Sequence, residues 1–170
     1  VSCIGSIGTE NDKPVNAASG LAAAGAKAAG VKKFVYISVA PEVRKSVRGV
    51  SFLESYMEGK TFSEDNVQSN FSGDGYFYTL IKPTFIYGGN KFGLNPPRVA
   101  SGYGQLVESL LSSSPFRAAA SISPGIIGVA LEPPVKVESV AGAAVAGALG
   151  LSQPELDSYD KINAAAALIK

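Results

Sequence analysis

The sequence predicts an α/β fold in which a doubly wound parallel sheet is covered by helices on both faces. Residues 15–29 are rich in alanine, as helices are, and residues 34–37 are aromatic and β-branched, as strands are. Only residues 30–33 connect the two, and the strand is apolar throughout, which is typical of a buried parallel strand. With 46% hydrophobic residues in 170, the chain is long enough to bury such a core.

Glycine and proline mark the ends of the predicted elements in the first half of the chain. Gly5 and Gly8 allow a tight turn after the first segment, Gly30 suits a helix C-terminus, and Pro83 stops a strand. The elements predicted between these positions are a strand at 1–4, a helix at 15–29, a strand at 34–37, a polar connection at 41–50, a helix at 51–69 and a strand at 78–82, with a turn at 85–89.

The pattern changes after Gly89, which divides the chain into residues 1–89 and 90–170 of one domain. We expect the second part to form a small lobe together with elements that return to the first sheet. Its predicted elements are a helix at about 103–111, an apolar run at 126–131, an extended segment at 133–137 and a helix at 138–149. The apolar run at 162–169 could be a short strand or a helix.

The composition excludes several classes of function. There is no histidine, so histidine-dependent nucleophilic catalysis and the common zinc sites are absent, and Cys3 is the single cysteine. The net charge is +1 with scattered basic residues, so no nucleic-acid partner is predicted. The apolar runs are too short to cross a bilayer, although a peripheral membrane association is compatible with them.

Tyr56 and Lys60 are the most chemically informative pair in the sequence. They lie four residues apart on the predicted helix at 51–69, so they share one face about 6 Å apart along its axis. An ammonium beside a phenol favours the phenolate, so the pair could donate or accept a proton near neutral pH. Because this spacing also arises by chance, the alternative is a surface helix on which Tyr56 packs and Lys60 is solvated.

Ser38 directly follows the strand at 34–37 and lies at its carboxyl end. Ligands of open α/β sheets bind at that edge, so Ser38 is a candidate for the same site as Tyr56 and Lys60. The alternative is that Ser38 caps a helix or a turn. The strand that ends before Pro83 reaches the same edge, which predicts that these segments converge.

Six segments occur in the order and approximate spacing of the atypical short-chain dehydrogenase/reductases. They are residues 2–8, the helix from about Asn16, and residues 30–38, 56–60, 81–88 and 133–141. Over about residues 1–150, the chain most resembles the plastid NAD(P)-binding Rossmann proteins. Those proteins are related to an accessory subunit of mitochondrial complex I and to a yeast coenzyme Q biosynthesis protein.

The resemblance implies a Rossmann-like domain that binds NADP or NAD, of which residues 1–89 are the C-terminal half. Tyr56 would be the proton donor, Lys60 would bind the ribose hydroxyls and lower the pKa of the phenol, and Ser38 would orient the substrate or the nicotinamide. The implied catalytic residues are thus Tyr56, Lys60 and Ser38, without a metal. The implied cofactor-binding residues are Gly5, Ser6, Asn16, Ser38, Lys60, Pro83, Thr84, Phe85 and Ile86.

The sequence departs from the family at the phosphate-binding loop. It contains no Gly-x-x-Gly-x-x-Gly motif and no residue that would select NAD or NADP. We therefore expect further strands upstream of Val1, and weak dinucleotide binding by these residues alone. Lys82 and Thr84 stand where the family often has Arg and Gly, and Glu138 stands where Asp is usual.

Two functions are compatible with these expectations. One is an oxidoreductase that acts on a small apolar carbonyl or quinone-like substrate, with hydride supplied by the cofactor. The other is a dinucleotide-holding or structural subunit of a larger organelle membrane complex. The family resemblance points to a chloroplast location more than to a mitochondrion. A scaffold module unrelated to nucleotides is the third possibility.

Overall fold

The computed structural model describes residues 1–46, 51–88, 93–94, 97–99, 101–111 and 132–169, which form a mixed α/β fold. The helices are α1 (Asp12–Ala28), α2 (Pro41–Ser46), α3 (Ser51–Phe71), α4 (Ser101–Leu111), α5 (Val137–Leu149) and α6 (Tyr159–Ala167). The strands are β1 (Lys33–Ile37), β2 (Phe77–Ile81), β3 (Ile86–Tyr87), β4 (Gly93–Leu94), β5 (Pro97–Val99), β6 (Val135–Lys136) and β7 (Glu155–Leu156).

The first sheet is parallel and has the strand order β1-β2-β7. On the side of β1 that does not face β2, Ser2 forms a parallel bridge with Tyr36. The Ser2 amide donates to the Val35 carbonyl at 2.8 Å, and the Ile37 amide donates to the Ser2 carbonyl at 3.1 Å. The prediction of an α/β fold with a parallel sheet is confirmed.

Helices cover both faces of the first sheet because side chains alternate along its strands. Phe34 and Tyr36 of β1 pack with Val67 and Phe71 of α3 on one face. Val35, which points to the opposite face, packs in a second core cluster with residues of α5 and α6. Both clusters are almost fully buried, as continuously apolar parallel strands require.

The second sheet is short and has the strand order β4-β5-β3-β6, in which β3 is parallel to both of its neighbours. Glu108 of α4 accepts hydrogen bonds from the hydroxyls of Tyr87 in β3 and Tyr159 in α6. These bonds tie α4 and α6 to the second sheet. Later in the chain, β7 pairs with β2 in the first sheet. The boundary at Gly89 stays a prediction.

The four predicted helices are present, and the structure differs from the predictions in two details. The first helix begins at Asp12 rather than at residue 15, because Pro14 lies in its first turn, where the missing amide costs no hydrogen bond. The predicted connection at 41–50 is helical over Pro41–Ser46, with Pro41 at the first helical position. The ambiguous run at 162–169 lies mostly in α6, and the run at 126–131 lies outside the described residues.

In the part of the chain that the structure describes, no helix combines the length and the apolar character needed to span a membrane.

Candidate functional site

A pocket of about 180 Å³ lies at the carboxyl ends of β1 and β2. Its wall comes from four segments, namely the N-terminal segment, the residues after β1, the residues after β2, and one face of α3. Nine predicted site residues line it, namely Gly5, Ser6, Ser38, Tyr56, Lys60, Pro83, Thr84, Phe85 and Ile86. Parallel strands end at the same edge of a sheet, which explains why segments distant in sequence meet here.

Asn16 is the predicted site residue that does not line the pocket, although it lies directly behind the wall. A Cβ atom at Gly5 would stand 3.1 Å from the Asn16 Oδ1 and 3.2 Å from the Lys60 Nζ. The Asn16 Nδ2 donates to the carbonyls of Ser6 at 2.8 Å and Asp12 at 2.7 Å. Its Oδ1 is buried and has no hydrogen-bond partner among the described residues.

Lys60 is buried in the pocket wall, with 5% of its surface exposed. Its Nζ donates to the Ile37 carbonyl at 3.1 Å and lies 5.0 Å from the centre of the Tyr36 ring. Burial lowers the pKa of Lys60 to about 8, although the nearby Glu64 and Cys3 act in the opposite direction. The alternative of a solvated surface lysine is therefore wrong.

Tyr56 differs from the sequence-based expectation in its acidity. Burial raises the pKa of Tyr56 to about 12, with Arg44 lowering it and with Asp12 and Glu64 raising it further. Lys60 was expected to lower this pKa, but its Nζ lies 5.8 Å from the ring centre, and desolvation of the phenolate dominates. At neutral pH, Tyr56 is a protonated phenol that can donate a hydrogen bond or a proton.

Ser38 is hydrogen-bonded to Glu64, an acidic residue that is not among the predicted site residues. The buried Ser38 hydroxyl donates to Oε1 of Glu64 in α3. The same oxygen accepts from Nη2 of Arg44 at 2.7 Å, and Oε2 of Glu64 pairs with the Lys82 Nζ at 3.1 Å. Ser38 is thus held by a charged network between α2, α3 and the end of β2.

Lys82 extends this network to the neighbouring strand. Its Nζ also pairs with Oε2 of Glu155 in β7 at 2.7 Å, and Oε1 of Glu155 accepts from Gln68 of α3 at 2.8 Å. Although burial acts against its charge, these carboxylates raise the pKa of Lys82 above its ordinary value. Lys82 thus ties α3 and β7 to the end of β2.

Asp12 fixes the turn that carries Gly5 and Ser6. Its buried carboxylate accepts from the Ser6 hydroxyl at 2.9 Å, from the Gly8 amide at 2.7 Å, and from the amide and hydroxyl of Thr9 at 3.2 and 2.7 Å. Burial raises the pKa of this carboxyl, but the hydrogen bonds together outweigh it, so the pKa lies below its ordinary value.

Sequence reasoning missed two groups of residues at the site. The first is the charged network, of which the sequence signals only Glu64, because Glu64 lies four residues after Lys60 on the same helix face. The second is the apolar wall, for which no signal existed, because its residue types are those of any protein core. The missed wall residues are Cys3, Ile7, Ile37, Val39, Val43, Leu53 and Met57.

Among the residues that the structure describes, no cluster of acidic, cysteine or histidine side chains is placed to hold a metal ion. Comparison of the chain with protein-family models, with curated proteins and with solved structures gave no match.

Proposed function

We propose that this chain forms the nicotinamide-side part of a Rossmann-like NAD(P)-binding protein of the atypical short-chain dehydrogenase/reductase type. One observation carries the proposal, namely that Tyr56, Lys60 and Ser38 line a single pocket at the carboxyl edge of a parallel sheet. Helices on both faces of that sheet and a ligand pocket at this edge are typical of doubly wound folds.

The pocket residues suit the nicotinamide end of such a cofactor. The volume of about 180 Å³ is below the roughly 300–1,000 Å³ of common ligand sites, so it suits a ring or a small substrate. Lys60 would face the ribose hydroxyls, and Pro83 to Ile86 would pack against the carboxamide. Gly5 leaves room for close approach, since any side chain there would meet both Asn16 and Lys60.

In the catalytic version of the proposal, the chain reduces a small apolar carbonyl or a quinone-like substrate. NADPH or NADH would supply the hydride. Tyr56 holds the proton that the product oxygen needs, because its raised pKa keeps the phenol neutral. The apolar side chains of Leu53 and Met57 exclude water from the substrate.

A second candidate is a subunit that holds a dinucleotide without turnover, in a larger organelle membrane complex. A specific observation favours it: the Ser38 hydroxyl donates to Glu64, so its proton is held by the protein interior. For both candidates we propose a chloroplast location before a mitochondrial one, which organelle fractionation would test.

The experiment is a fluorescence titration with NADPH on the protein that carries this chain, followed by turnover assays with quinones and small ketones. We expect Tyr56→Phe to keep cofactor binding and to lose about 100-fold or more in turnover. Tyr76→Phe, which removes a phenol at the other end of β2, is the matched control. Full turnover by Tyr56→Phe would refute the assignment of Tyr56 as the proton donor, and absence of binding at millimolar NADPH would refute both candidates.

A further inference from the structure

Glu64 determines the direction in which the Ser38 hydroxyl proton points. The Glu64 side chain is 8% exposed and pairs with the cations Arg44 and Lys82, so it is a carboxylate that only accepts hydrogen bonds. Ser38 donates to it. A serine hydroxyl has one proton and two acceptor positions, so Ser38 has no proton left for a ligand.

Ser38 therefore offers only lone pairs to a molecule in the pocket. A ligand that carries an O–H or N–H group can satisfy them, whereas a carbonyl oxygen would face another acceptor. We infer that the pocket selects small apolar molecules that carry a hydrogen-bond donor, with an alcohol preferred to the matching ketone, and that Glu64 sets this preference through Ser38.

Tyr56 complements Ser38 in the same pocket wall. Because burial raises its pKa to about 12, the Tyr56 phenol stays protonated and can donate a hydrogen bond. A ligand hydroxyl can accept from Tyr56 and donate to Ser38, whereas a ketone uses only the first of these bonds. As a statement about the substrate class, this inference rests on the proposed function, in which the alcohol is the reduced product.

Cyclohexanol and cyclohexanone are suitable probes because they differ only in the polar group and are small enough for a pocket of about 180 Å³. Their dissociation constants can be measured by NMR chemical-shift titration without any dinucleotide. One additional hydrogen bond predicts that the alcohol binds about three- to tenfold more tightly than the ketone. A wild-type protein that binds the ketone equally or more tightly would overturn the inference, as would the absence of binding by either probe.

Two variants separate the roles of Ser38 and Glu64. In Ser38→Ala, the alcohol should lose its advantage while the ketone affinity is unchanged, and Glu64 keeps both of its cations. In Glu64→Met, the serine proton becomes free to point into the pocket. The ketone should then bind more tightly, and the preference for the alcohol should disappear. Lys82 keeps Glu155 as a partner in this variant, and the partly exposed Arg44 can turn to water.

Asp65→Asn is the control, because Asp65 is the exposed acidic residue next to Glu64 on α3. It should retain the alcohol preference. A preference that survives in Ser38→Ala would assign the selection to another group and overturn the inference. The NADPH titration tests the cofactor independently, so an alcohol preference without NADPH binding would refute only the proposed function.

Discussion

Gly59 of α3 lies against Asn16 of α1, and a Cβ atom at Gly59 would stand 2.7 Å from the Asn16 Cβ. The same atom would stand 2.6 Å from the Lys13 carbonyl oxygen. Ser63 extends this close contact, since its Oγ donates to the Asn16 carbonyl at 2.6 Å and accepts from the Gly20 amide at 2.9 Å. The two helices thus approach through small residues, directly beside Lys60.

Gly59→Ala should destabilise the protein although alanine is the better helix former. The added methyl group must push backbone atoms of α1 away, which costs about 1–3 kcal/mol beyond the gain in helix propensity. Urea denaturation measures the change. Gly25→Ala on α1 is the control, because its Cβ would meet no atom within 4 Å, and it should stabilise by about 0.5–1 kcal/mol. Stabilisation by both substitutions would contradict the close contact.

Asp12→Asn should destabilise the turn at 5–9 by about 1–3 kcal/mol at neutral pH, because the amide would direct N–H groups at the Gly8 amide. The pKa of Asp12 is lowered, so its contribution is present above the ordinary value of 3.8 and is lost as the pH falls below it. The free energy of unfolding should therefore fall less steeply in acid for Asp12→Asn than for wild type. Asp65→Asn should keep the wild-type slope.

The positions of Tyr56, Lys60 and Ser38 were predictable because they depend on the regular geometry of helices and parallel sheets. A spacing of four residues places two side chains on one helix face, and parallel strands end at one edge. Their protonation was not predictable in the same way. The pKa of Tyr56 depends on how much water the assembled pocket excludes, which no local spacing encodes.

The ion pairs of the charged network were also not predictable from local spacing. Glu64 and Lys82 are 18 positions apart in the sequence, and nothing in the spacing pairs them before α3 packs beside β2. The short helix α2 was missed because its six residues have no apolar repeat that distinguishes it from a polar loop. Short elements and ionic partners depend on tertiary packing, whereas long periodic helices such as α3 do not.

Lys82→Met should cost about 3 kcal/mol, because it leaves the buried Glu64 and the partly buried Glu155 without their shared cation. Lys161→Met is the matched control, since Lys161 of α6 pairs at 2.7 Å with Asp157, which precedes that helix, and both side chains are exposed. Its loss should cost only about 0.3–0.5 kcal/mol. Chemical denaturation at neutral pH compares the two variants, and equal losses would show that the buried pairs carry no special weight.

Lys60 should make the protein more stable as the pH rises above 8. Its pKa is about 8 in the folded protein, against an ordinary value of 10.5, so between these values the unfolded chain binds the additional proton. Stability then increases with pH across this window. The raised pKa values of Tyr56 and Lys82 affect the pH dependence of stability only above about pH 10. Between about pH 7 and 9.5, Lys60 is therefore the one group with a shifted pKa, among the described residues, that changes the stability.

The Lys60→Met variant tests this sign. Methionine has a similar length but no charge, so the variant should lack this rise. The free energy of unfolding of wild type should therefore increase by about 2 kcal/mol relative to that of the variant over that window. Lys13→Met, which removes a lysine paired with Glu58 at the surface, is the control and should show no such shift. A difference between wild type and Lys60→Met that does not change with pH would mean that water reaches Lys60 in the folded protein. The pocket wall would then be open to solvent at Lys60, contrary to the burial of this side chain in the structure.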